Sequence, residues 1–125
     1  MIELALVMIG GAIGSGLRYG VGLVLPSSLG TFPWSTFVVN VLGSFTLGAL
    51  VGSSMISASI TRPYMLLLGT GLCGGFTTYS AFAIESVLLA QEGQLTSLAI
   101  YTTATLVCCS VASLVGVLAP RILSH

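Results

Sequence analysis

Four long apolar runs, separated by short breaker-rich segments, constrain this 125-residue chain more than any other feature. They cover about residues 4 to 25, 34 to 57, 64 to 90 and 95 to 119. Each reaches the ~20 residues that a helix needs to cross ~30 Å of hydrocarbon. Between them lie PSSLGTFP (26 to 33), ASITRP (58 to 63) and the polar turn QEGQ (91 to 94). Pro120 and Arg121 are expected to stop the last run. Charged side chains make up 5% of the residues, against about 25% in a soluble domain. The expected fold is an all-α membrane protein, one four-span domain over residues 1 to 125 with no extramembrane part for soluble chemistry.

The few polar residues exclude several functions. Lys plus Arg equals Asp plus Glu at three each, so there is no basic stripe for nucleic acid and no polybasic anchor for anionic lipid. Cys73, Cys108 and Cys109 lack metal-type spacing and read as small hydrophobes. MIELALVMIGGAIG lacks a basic leader and an A-x-A-like cleavage site, so it reads as the first span and not as a removable signal. GGAIGSG lies within that span, with no preceding strand, and is not a phosphate loop. The one histidine is His125, and no nucleophile–base pair or metal cluster points to an enzyme.

Charge gives a weak sense of direction. Arg62 and Arg121 fall on the side where the chain begins (side A), and at most Arg18 falls on the other (side B). That asymmetry is compatible with one fixed orientation. It is equally compatible with insertion both ways up, which would give an antiparallel dimer with its two-fold axis in the membrane plane. Small residues repeat at Gly10 and Gly14, at Gly16 and Gly20, and at Ser44, Gly48 and Gly52. Such stripes let helix backbones approach, within one chain or between two.

At ~1.5 Å rise per residue, position converts to depth. Arg18 lies ~9 Å short of side B, within reach of that surface by its long stem, where it either anchors the span or helps anions enter. Asn40 and Tyr101 each lie ~9 Å in from side B. In the third run Gly74 and Gly75 reach the midplane at ~15 to 17 Å from side A, Tyr79 and Phe82 follow at ~22 and ~27 Å, and Glu85 comes near the side B edge. Asn40, Tyr79, Phe82 and Tyr101 thus converge in one half of the bundle. Thr77 and Ser80 make a hydroxyl stripe beside the aromatic one.

GLCGGFTTYSAF (71 to 82) combines adjacent glycines with hydroxyl side chains at the midplane, which favours a local loss of helix in the third span. Non-helical backbone at that depth must be buried in protein or line a cavity, because lipid cannot satisfy its polar groups. Discontinuous helices hold ions in transporters: freed carbonyls take cations, and helix N-termini favour anions. Two such breaks could meet on the axis of an antiparallel dimer.

With GGAIGSGLRYG in the first span, TFVVNVLGSFTLG in the second and GLCGGFTTYSAF in the third, the chain resembles the Fluc (CrcB-type) fluoride channels along essentially its whole length. The resemblance implies a passive fluoride channel of the plasma (inner) membrane. It implies an antiparallel dual-topology homodimer with two fluoride pathways and a structural sodium ion (Na+) at the interface. Carried onto this sequence, Asn40, Thr78, Tyr79, Ser80, Phe82 and Tyr101 would line the pathway. Arg18 and Glu85 would belong to its vestibule, and the carbonyls of Gly74 and Thr77 would hold the sodium. Where most members have Phe-Ser-Thr-Phe, this chain has Tyr79-Ser80-Ala81-Phe82, which gains a phenol and loses a hydroxyl. A hetero-subunit supplying the missing group is one consequence. The rival reading, a small multidrug-type proton-coupled cation antiporter, calls for a carboxylate within the first span; Glu3 precedes that span and Glu85 lies in the third.

Overall fold

The computed structural model describes residues 1–25, 31–58 and 60–123; most of PSSLGTFP, Ser59 and the His125 tail lie outside the described residues. Every regular element among the described residues is helical. They run α1 (Ile2–Val24), α2 (Trp34–Ile56), α3 (Arg62–Tyr64), a π-helical stretch (Met65–Cys73), α4 (Gly74–Phe76), α5 (Tyr79–Gln91) and α6 (Leu95–Leu123). Grouped by length and hydropathy, Ile2–Val24, Trp34–Ile56, Arg62–Gln91 and Leu95–Leu123 are each long and apolar enough to cross a membrane. A helix satisfies its backbone hydrogen bonds internally, which is why apolar runs of this length take that form in lipid.

The outer surface matches that solvent. Leu17, Leu106, Val107 and Leu114 are all more than half exposed, an apolar surface of a kind that a soluble monomer rarely presents. The fully buried side chains are few: Val39, Cys73 and Tyr101 stand out.

Two close helix pairs build the interior. α1 packs along the π-helical stretch and α4, while α2 packs along α6. Glycine makes both approaches possible. A Cβ on Gly10 would overlap the Leu67 carbonyl oxygen, and one on Gly14 that of Leu72. On the other pair, Gly48 lies against the Ser113 carbonyl and Gly52 against that of Val117. Two of the three small-residue stripes therefore serve packing within the chain, whereas Gly16 and Gly20 face open space.

The third rod is irregular. Its π-helical stretch bonds one residue further along than an α-helix does, and Gly74 remains helical at φ −63, ψ −37. Just beyond, Thr77 (φ −79, ψ 160) and Thr78 (φ −153, ψ 116) are extended before α5 begins. The α5–α6 turn closes as a Schellman motif. Gly93 sits at φ +70, its N–H donates to Ala90 at 3.1 Å, and the Gln94 N–H donates to Leu89 at 2.9 Å.

Pro120 does not end α6, which continues to Leu123. Proline removes one backbone donor and crowds the carbonyl four residues back, here that of Gly116, and only the final turn follows it. At side A the Arg62 Nε lies 2.9 Å from Glu3 Oε1 in an exposed ion pair joining α1 to α3. Such a pair contributes about 0–1 kcal/mol.

Candidate functional site

A helix that stops inside the protein orphans backbone donors and acceptors, and at Thr77–Thr78 side chains take them up. In a continuous helix the Thr78 N–H would bond the Gly74 carbonyl. Here it donates to Asn40 Oδ1 at 2.8 Å, and Asn40 Nδ2 donates back to the Thr78 carbonyl at 3.0 Å. A side-chain amide carries both an acceptor and donors, so Asn40 can close both bonds at once. The Thr78 hydroxyl then caps α5 by accepting from the Ala81 N–H at 3.2 Å, and lies 3.3 Å from the Ser80 hydroxyl.

This exchange takes the regular α-helical donor away from two carbonyls. Gly74 loses its helix donor to Asn40, and Thr77 loses Ala81 to the Thr78 hydroxyl. Carbonyl oxygens relieved of their helix partners are the donor type that a hard cation takes. The Thr77 carbonyl also accepts from Arg18 Nη1 at a long 3.4 Å. The Thr77 hydroxyl bonds back to the Cys73 carbonyl at 3.0 Å.

Two grooves flank the interruption. One, of about 460 Å³, is lined by Asn40, Gly43, Thr77, Tyr79, Phe82 and Thr105 among others. The second, of about 670 Å³, is lined by Arg18, Ser35, Thr36, Ser80 and Ile84 among others. Thr78 lines both. Tyr79 is 80% exposed, with its ring 5.7 Å from that of Phe82. Phe82 in turn lies 5.2 Å from the ring of Tyr101.

A part-buried polar cluster adjoins the aromatics. The Tyr101 hydroxyl donates to Glu85 Oε2 at 2.6 Å, and the Thr36 hydroxyl donates to Glu85 Oε1 at 2.7 Å. Tyr101 is fully buried. Each oxygen of a carboxyl set among apolar helices thus accepts a hydroxyl, which offsets part of the cost of removing it from water.

A family model described as CrcB-like protein, Camphor Resistance (CrcB), matches residues 5–117. The chain belongs to the CrcB family. Similar relatives include a fluoride-specific ion channel FluC of Anaeromyxobacter sp. (strain K), 41% identical over 97% of both chains. Another, from Paramagnetospirillum magneticum, is 35% identical over the full length of both, and a third, from Allorhizobium ampelinum, is 43% identical over 85% of this chain and 86% of its own. Both carry the same printed name.

The residues singled out by the CrcB resemblance fall into three groups. Asn40, Gly74, Thr77, Thr78, Tyr79 and Phe82 share the first groove, while Arg18 and Ser80 lie on the second. Thr77 and Ser80, which shared a stripe on a regular helix, are thereby separated. Glu85 and Tyr101 line neither groove and bond to each other. Sequence reasoning missed Thr36 and Thr105. Thr36 stands four residues before Asn40, one turn away on the same face, and Thr105 stands four after Tyr101. The Thr105 hydroxyl is buried on the groove wall, with no hydrogen-bond partner among the described residues.

Proposed function

We propose that this chain forms a fluoride-selective passive channel in the plasma (inner) membrane that releases cytoplasmic fluoride. The channel is an antiparallel dual-topology homodimer with two pores and a sodium ion at its interface. The relatives' printed names support the ion's identity. The observation that carries the geometry is the pair of hydrogen bonds between Asn40 and the Thr78 backbone, made at the extended Thr77–Thr78 pair beside a groove.

Fluoride is small and strongly hydrated, so a narrow path must replace its water with donors. The Asn40 amide, the Tyr79 phenol and the Thr105 hydroxyl border the first groove, and the ring edge of Phe82 carries partial positive charge. No Lys or Arg lines that groove, so an anion is solvated there without being trapped, as conduction requires. Arg18 on the second groove raises the local anion concentration at a vestibule. The carbonyls of Gly74 and Thr77 would hold the sodium, which supplies a fixed positive charge where two chains meet.

Ion release from liposomes holding the purified protein tests this reading, with fluoride and chloride electrodes used in parallel. Rapid fluoride loss with chloride retained supports it. Release only after co-reconstitution with a second subunit would make the channel heteromeric, as the Tyr79 and Ala81 replacements allow. Proton-coupled cation exchange without fluoride loss would replace the channel reading with an antiporter.

A further inference from the structure

Phe32 lies outside both grooves, yet it is where the aromatic side chains converge. It precedes Pro33, and a residue before proline is held extended. Its ring lies 4.6 Å from that of Trp34 and 5.5 Å from that of Phe37, so it is fastened to the first turns of α2. On its other side it meets Tyr101 edge-on, at 5.3 Å and 82°. Tyr101 is thereby held between Phe32 and Phe82, and its hydroxyl is directed at Glu85. The chain of rings runs from Phe32 through Tyr101 and Phe82 to Tyr79 at the interrupted helix.

We propose that Phe32 is a positioning residue for anion conduction, acting through Tyr101 on the Glu85 carboxyl and the Phe82 ring; the inference rests on the channel reading above. Tyr101 has one polar atom and no solvent, so the direction of its ring decides whether Glu85 Oε2 has a donor. With Phe32 in place, both carboxyl oxygens are satisfied by hydroxyls and expose little negative potential toward a passing anion. Without it the whole Tyr101 side chain can swing about its first torsion, Glu85 keeps only the Thr36 hydroxyl, and Phe82 loses the ring that fixes its edge. An edge-to-face contact needs an aromatic ring and not just volume, which separates positioning from simple filling of space.

The test compares Phe32→Leu, Phe32→Tyr, Tyr101→Phe and the double variant Phe32→Leu/Tyr101→Phe by fluoride release from liposomes. A 3-fluorotyrosine at position 101, read by fluorine NMR, reports the phenol directly. Phe32→Leu is expected to slow release about tenfold while Phe32→Tyr stays within about twofold of the unaltered chain. The double variant is expected to be no more than about twofold slower than Tyr101→Phe alone, because both changes break the same bond. The fluorine resonance should be single in the parent and shifted or broadened in Phe32→Leu. Unchanged release in Phe32→Leu, losses that multiply in the double variant, or an unmoved resonance would each overturn the proposal. If the unaltered chain releases no fluoride either alone or with a second subunit, the channel reading fails, and the resonance still decides whether Phe32 orients Tyr101. Should Phe32→Leu aggregate, Phe32→Met takes its place under the same criteria.

Discussion

Asn40 holds two backbone groups of another helix while presenting its amide edge to a groove, so its chemistry is sensitive to single-atom change. Asn40→Asp replaces the donor facing the Thr78 carbonyl with an acceptor and adds negative charge. A unit charge 4 Å from a like charge costs about 4 kcal/mol at an effective dielectric near 20. Fluoride release should therefore fall by roughly a hundredfold or more, measured by electrode in liposomes. Unreduced release would remove Asn40 from the path. Thr78 has a separate role as the cap of α5. Losing an N-cap hydroxyl costs about 0.5–2 kcal/mol, so Thr78→Ala should lower the melting temperature in detergent, followed by circular dichroism, and Thr78→Ser should restore most of it. Equal melting of the two variants would contradict the capping role.

Between elements, the glycines act as spacers whose importance depends on the face they occupy. Gly48 lies so close to the Ser113 backbone that an added methyl has no room. Gly48→Ala should push α2 from α6 and destabilise the fold by about 1–3 kcal/mol. Gly16 meets nothing within 4 Å, and alanine there removes the ~1 kcal/mol penalty of glycine in a helix. Thermal unfolding of both variants checks the contrast, and a Gly16→Ala variant that melts below Gly48→Ala would reverse it. The π-helical stretch and the extended Thr77–Thr78 pair belong to this scale too. The irregular bonding of one and the side-chain capture at the other depart from the regular α-helical ladder within a rod of span length.

For the whole molecule, the balance of arginines across the two sides bears on assembly. A chain with so little charge asymmetry is easily biased. Ser57→Lys with Ala58→Lys adds charge on the side of Arg62, and Gln91→Lys with Gln94→Lys adds it on the opposite side. Under the antiparallel proposal, either biased chain expressed alone should lose fluoride release, and co-expression of the two should restore it. Full release from one biased chain alone would argue for a parallel or monomeric channel.

The sequence by itself determined the number and helical character of the spans, because in lipid each backbone must satisfy its own polar groups locally. Its glycines and hydroxyls set among apolar residues led to an expected loss of helix at Gly74 and Gly75, whereas both stay helical and the extended residues are Thr77 and Thr78. It did not reveal which glycine stripes pack within the chain, since spacing marks a face without naming what meets that face. Nor did it reveal that Pro120 stays inside α6, a matter of what the chain does after the last strong constraint. The pairing of Asn40 with Thr78, 38 residues apart, and of Glu85 with both Thr36 and Tyr101, 49 and 16 residues apart, was decided only in the tertiary structure. Those bonds depend on the rotation of each helix about its own axis, which side-chain packing between helices sets and which no local pattern encodes.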